Sequence, residues 1–176
     1  MKIFFDTEFT GLHKDTTLIS IGLIAENGEE FYGGMSDYDR SQVDEWIEEN
    51  VIKHMYLGEN KSYHYGTKKE ISEKLNKWLK QFETVEWVSD VCHYDFVLLI
   101  DLICGHALKM PYGILNAACH DINQDIANYY NISEIDAFDK SREEIIESFG
   151  VMIDGTKHNA LYDAKVIKAI YKNIEN

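Results

Sequence analysis

Proline, cysteine and positive charge are scarce in this 176-residue chain, and each shortage excludes something. The one proline, Pro111, and the lack of any repeat or low-complexity tract leave no linker to divide the chain, so residues 1–176 read as a single domain. Cys92, Cys104 and Cys119 are odd in number and lack CxxC spacing, which predicts reduced thiols in a cytoplasmic protein and no zinc site. The seven histidines are scattered without zinc-type His–Cys spacing. No apolar run is long enough to span a bilayer, and Asp6 interrupts the N-terminal run too early for a secretory signal, so no membrane is expected. Lys and Arg number 17 against 31 Asp and Glu, a formal net charge of −14. Proteins that grip a duplex along its phosphates usually carry the opposite sign. Any nucleic acid would therefore be held locally, at an end, with metal ions neutralising phosphate.

What is present starts at the N-terminus. Lys2-Ile3-Phe4-Phe5 reads as a buried strand that runs into Asp6-Thr7-Glu8-Phe9-Thr10-Gly11-Leu12. Strand side chains alternate faces, so Asp6 and Glu8 point the same way. Two like charges beside an apolar core repel unless a cation lies between them, and hard oxygen ligands suit magnesium or manganese. Taken alone, the pair could equally be a strand entering a solvated turn. The decision rests on partners downstream.

Thr17 to Ala25 reads as a second strand, Asn27-Gly28 as a type I′ hairpin turn, and Glu30 to Gly34 as a third strand. Val43, Trp46, Ile47, Val51 and Met55 predict a helix over 41–55, and residues 56–66 a polar, aromatic loop. Thr67 and Glu70 form a capping box for a helix carrying Ile71, Leu75, Trp78, Leu79 and Phe82. Its lysines, Lys68, Lys69, Lys74, Lys77 and Lys80, read as a solvated face paired with Glu70 and Glu73. Val85 to Ser89 is a fourth strand, 95–104 an apolar helix, 115–120 a fifth strand and 121–130 a helix. Ser141 and Glu144 suggest a second capping box, on a helix ending at Gly150. A final helix over 160–174 carries Leu161, Ala164, Ile167, Ile170 and Ile174 on one face. A three-strand antiparallel meander followed by alternating helices and strands predicts an α/β mixed sheet with helices on its faces.

Two later groups could join Asp6 and Glu8. Asp95 lies at a helix start, where capping alone would explain it. Asp90 and Asp101 are its rivals, and Asp95 is preferred because Phe-Val-Leu-Leu after it would anchor the helix and aim the carboxylate. His158-Asn159-Ala160-Leu161-Tyr162-Asp163 sets a histidine before the last helix and an acid one turn into it, with Asn159 as N-cap. A histidine titrates near neutrality and suits proton transfer, whereas a helix-borne acid suits metal binding.

Asp6-Thr7-Glu8, His93-Tyr94-Asp95 and the His158/Asp163 pair resemble, in order and spacing, the motifs of the DEDDh or DnaQ-like 3′–5′ exonucleases. The first and last look closest to a small bacterial exoribonuclease-like branch. Relatives often carry Asn before the middle motif, whereas this chain reads Ser89-Asp90-Val91-Cys92. The resemblance implies an RNase H-like fold and a single-stranded 3′ end of RNA, or of DNA, as substrate. It implies that Asp6, Glu8, Asp95 and Asp163 bind two magnesium or manganese ions and that His158 is the general base. Thr7 and Glu8 would lie near the terminal 3′-hydroxyl, Leu12 would wedge against the last base, and Phe9 with Tyr63-His64-Tyr65 would stack on bases. Such relatives often form homodimers, which stands as an expectation here. Rival readings are a catalytically silent binding module, a DNA-directed exonuclease and an RNase H-type endonuclease.

Overall fold

The computed structural model describes residues 1–57, 61–106, 109 and 118–175. The meander is formed by β1 (Lys2–Phe9), β2 (Leu18–Ala25) and β3 (Glu30–Met35), paired antiparallel in that order. Every residue of β2 is buried, as a strand covered on both faces requires. The turn between β2 and β3 differs from the expected type I′. Gly28 takes φ +95°, but Asn27 does not enter the left-handed region that type I′ demands. Ala25 N–H donates to Glu29 O instead, closing a three-residue loop with Gly28 in the left-handed position.

The remaining strands add in parallel. β4 (Tyr63–Gly66) pairs with β3, β5 (Glu86–Ser89) with β1, and β6 (Cys119–Asp121) with β5, giving the order β4-β3-β2-β1-β5-β6. β4 occupies part of the stretch expected to be loop; its residues are all half-buried, so it lacks the apolar alternation that marks a strand in sequence. The strand expected over 115–120 begins at Cys119 among the described residues, and 115–117 lie outside them.

The helices are α1 (Glu45–Asn50), α2 (Lys68–Leu79), α3 (His93–Ile103), α4 (Ile122–Tyr130), α5 (Glu134–Asp139), α6 (Arg142–Ser148) and α7 (Ala160–Ile174). The helix expected over 41–55 is broken into α1 between two single 3₁₀ turns. Asp39 and Asp44 each turn a side chain back onto a backbone N–H, at Ser41 and Ile47, and so stop and restart the chain. α3 begins two residues earlier than expected, and α5 was not anticipated. The Thr67–Glu70 box is complete, whereas Ser141 caps α6 and turns its hydroxyl to Glu143. Lys68 pairs with Asp101 and not with α2's own glutamates.

The register sorts the core. Ile3, Phe5, Ile21, Leu23, Phe31 and Trp87 face α2 and α3, together with Ile47 and Val51 from the α1 segment. Phe4, Ile24 and Val88 face α4, α6 and α7. Full burial of each such side chain contributes roughly 1.5–3 kcal/mol. Asp6, Gly22 and Tyr32 lie side by side across three strands. A Cβ on Gly22 would fall 2.2 Å from Leu161 N and 2.3 Å from Ala160 C, so the first turn of α7 rests on bare backbone opposite Asp6.

Because those clashes are with backbone, side-chain rotation cannot relieve them. Gly22→Ala is expected to displace α7 and to cost about 1–3 kcal/mol, the usual range for overpacking. Urea unfolding measures it, and an unaltered midpoint would contradict this packing.

Candidate active site

β1 pairs with β5 only over Lys2–Phe4. Among the described residues no strand pairs with that side of β1 beyond Phe4, and the sheet opens where α3 leaves the β5 loop. Thr7 N–H donates to Asp95 Oδ1 at 3.0 Å, in place of a strand partner, and the Thr7 hydroxyl donates to the same oxygen. Asp95, third residue of α3, is thereby clamped to the strand that carries Asp6 and Glu8. Thr7, expected beside the substrate, lines the cleft and is buried, with its hydroxyl donated to Asp95.

From the opposite side α7 brings Asp163 in its first turn. Asn159 caps the helix by accepting from Leu161 and Tyr162 N–H, and its amide donates to His54 O at 2.8 Å. His158 has φ +64°, an uncommon conformation for a residue with a Cβ. Its N–H donates to Asp163 Oδ2 at 2.8 Å, which holds the turn. The ring Nδ1 stands 3.9 Å from Glu8 Oε1, and Glu8, His158 and Asp163 offer ligand atoms within 4.8 Å of one another.

Asp6, Glu8, Asp95, Asp163 and His158 all line one open cleft of about 1030 Å³. Asp90, the rival third acid, also borders it but accepts Arg142 Nε and Nη2 at 2.5 and 2.8 Å in a bidentate pair. Nη1 donates to Ala137 O and Lys140 O, and Nη2 also donates to Asn123 Oδ1, so Arg142 ties the β5 loop to α4, α5 and α6. Asp101 pairs with Lys68 away from the cleft.

The acids feel one another. Burial, then the charges of Asp95, Asp163 and Glu8, raise Asp6 well above the usual carboxylate range. Burial followed by Asp163 and Asp95 pushes Glu8 up to about 9. Burial lifts Asp95 to about 7 against the pull of the Thr7 hydrogen bonds, and lifts Asp163 to about 7 against that of His158 N–H. Burial lowers His158, with Lys157 acting in the same direction. Such a set is compatible with neutral pH only if protons or cations offset its charge. Hard carboxylate oxygens fit magnesium or manganese, and the residues present fit those ions.

Phe9 stacks on Tyr94, with centroids 5.4 Å apart, in the cleft wall, and Leu12 stands exposed at its rim. Tyr63, His64 and Tyr65 are in β4 at the far edge of the sheet and do not line the cleft; Tyr63 stacks on Tyr56. Trp46 and Phe138 border the cleft unforeseen, both more than half exposed. Trp46 meets the His158 ring edge-on at 5.1 Å. Its spacing from Val43 and Ile47 matches a buried helical stripe, so nothing in the sequence set it apart.

A family profile described as the 3′–5′ exoribonuclease Rv2179c-like domain matches residues 1–175. The chain belongs to that family. Two family relatives from Mycobacterium tuberculosis are the 3′–5′ exoribonucleases Rv2179c (strain ATCC 25618 / H37Rv) and MT2234.1 (strain CDC 1551 / Oshkosh). Each is 30% identical over 104 residues, which span 58% of this chain and 61% of the relative's length. Among solved structures, Pop2p of S. pombe in its Mg²⁺- and Mn²⁺-bound form superposes with TM-score 0.60 at 18% identity, over 99% of this chain and 82% of its own. A 3′-exonuclease that recognises the 3′ end of a histone mRNA stem-loop superposes with TM-score 0.67 at 16% identity, over 98% of this chain and 62% of its own. The mixed sheet and its helices have the RNase H-like fold that the motifs implied.

The raised carboxyls make a stability prediction. The folded chain binds protons that the unfolded chain has lost, so the stability is present at low pH and fades as pH rises through about 7 for Asp95 and Asp163 and about 9 for Glu8. His158, lowered from 6.5, acts oppositely, but only on the acid side of that value. The melting temperature of chelator-treated protein should therefore fall from pH 6.5 to about 9, with magnesium restoring most at the alkaline end. A flat profile, or equal rescue throughout, would show that the acids do not share one charge problem.

Proposed function

We propose that this chain is a metal-dependent 3′–5′ exoribonuclease that shortens RNA from its 3′ end and releases nucleoside 5′-monophosphates. The observation that carries the reading is the meeting of Asp6, Glu8, Asp95 and Asp163, from β1, α3 and α7, with His158 along one cleft. The description of the matched family supports RNA as the substrate.

Asp6, Glu8, Asp95 and Asp163 would hold two magnesium or manganese ions, directly or through water. Bound there, such ions offset phosphate charge and stabilise the attacking and leaving oxygens of an in-line displacement. His158 takes the proton of the attacking water. The bond from the terminal phosphorus to the upstream 3′-oxygen breaks and that oxygen takes a proton from solvent, leaving a chain one nucleotide shorter with a free 3′-hydroxyl. Burial lowers His158, which keeps the ring neutral and able to accept that proton at neutral pH. Its anchoring through N–H to Asp163 sets the ring's position relative to the acids.

Leu12, Trp46, Phe9 and Phe138 supply apolar and aromatic surface beside the acids. Unpaired bases stack on such side chains without strong sequence preference, which suits a single-stranded end. A formal charge of −14 disfavours holding a long duplex and fits capture of a short 3′ tail.

Asp6→Ala is expected to abolish nucleotide release, as is excess EDTA on the unaltered protein. His158→Ala should lower kcat about 10²–10⁴-fold, the usual contribution of a general base, while metal uptake by calorimetry persists. With 5′-labelled RNA the product ladder should shorten stepwise, and circular or 3′-blocked RNA should survive. Cleavage of the circle, or undiminished turnover in EDTA, would refute the proposal.

A further inference from the structure

A second group of ligating side chains lies beside the cleft, at the junction of β5, β6 and α3. Half-buried Cys92 is the residue before α3, exposed His93 is the first residue of that helix, and Asp121 ends β6 and caps α4. One ligand atom from each lies within 4.8 Å of the other two. Cys119, two residues before Asp121 on β6, shares a hydrogen bond with the Cys92 thiol. Against the expectation of no zinc site drawn from cysteine spacing, we propose that Cys92, Cys119, His93 and Asp121, brought together by folding, form a site for a thiophilic divalent cation of the zinc type, distinct from the carboxylate cleft.

The donors define the ion. Cys92, His93 and Asp121 are already within reach of one ion, and Cys119 adjoins them through its hydrogen bond to Cys92; sulfur with imidazole and carboxylate is a zinc-type donor set, and thiolates discriminate against the magnesium or manganese suited to the cleft. The surroundings hold the donors in place. Asp121 Oδ1 accepts from Val91 N–H at 3.1 Å and Asn123 N–H at 2.9 Å, which orients the carboxylate and leaves Oδ2 for the ion. Val91, β-branched, is held at φ +49°, and its carbonyl accepts from His93 N–H at 2.8 Å. That constrained turn presents Cys92 and His93 together toward Asp121.

Far apart in sequence, the two cysteines meet only because β5 and β6 are parallel neighbours. Occupancy would staple β6 and α4 to the start of α3, two residues before Asp95, steadying the helix that carries that acid.

Cobalt(II) tests this on the full, reduced, chelator-stripped chain. Thiolate-to-cobalt absorption in the near ultraviolet and tetrahedral d–d bands should grow on titration and vanish when zinc is added. Cys92→Ser should lose the near-ultraviolet band, and His93→Ala, at an exposed position, should shift the titration to higher cobalt. Cys104→Ser and Asp6→Ala should keep the band. Saturating cobalt without thiolate absorption in the unaltered chain would overturn the proposal, as would a band lost in Cys104→Ser. So would wild-type titration by both Cys92→Ser and His93→Ala. A chain that shows the band but releases no nucleotides would refute the exonuclease reading and leave this site standing.

Discussion

Negative charge crowded at the free end of β1 is the constraint that the architecture is built to hold. Asp6 and Glu8 share a strand face, Asp163 arrives on α7 and Asp95 on α3, and each raises or feels the ionisation of the others. Repulsion among them favours opening, and the apolar packing on both faces of the sheet opposes it. The packing keeps Asp163 within reach by a particular device: Gly22 has no side chain, so α7 rests on the β2 backbone directly opposite Asp6. Asp95 is held by another, the Thr7 N–H and hydroxyl that face the gap where β5 stops pairing.

Rigid and adaptable parts are divided accordingly. The acids come from a strand and two helices, whereas His158 lies in the turn before α7, fixed by its backbone to Asp163 and touched at its ring by Trp46. On the proposed mechanism this puts the proton-accepting ring on a turn and the charge-bearing acids on rigid elements. Arg142 does a supporting task, gathering Asp90, Asn123 and two backbone carbonyls into one knot at the cleft wall.

The acidic surface and the apolar rim act on different parts of a ligand. Long-range charge repels a polyanion, so affinity has to come from short-range contacts at the cleft mouth, where Leu12, Trp46 and Phe138 stand exposed. For the proposed RNA substrate, that balance favours capture of an end over affinity along a strand.

The local elements with strong periodicity or caps were legible in the sequence: the meander, the Thr67–Glu70 box, the Asn159 cap and the buried face of α7. Alternation of period two likewise made it certain that Asp6 and Glu8 share a face. Chain order could not reveal what depends on distant segments meeting. β4 has too little apolar pattern to announce itself and exists because β3 offers an edge; α1 starts only at Glu45, because Asp39 and Asp44 turn back on the backbone before it. Trp46 looked like core until folding set it against His158, and nothing local to Thr7 announced the clamp it makes on Asp95. Asp90 and Asp95 are alike as letters, and only the approach of Arg142 to one and Thr7 to the other separates their surroundings. Sequence determined which residues are acidic, apolar or able to cap; tertiary structure decided which of them are neighbours, because pairing and packing act across distances along the chain that no local pattern encodes.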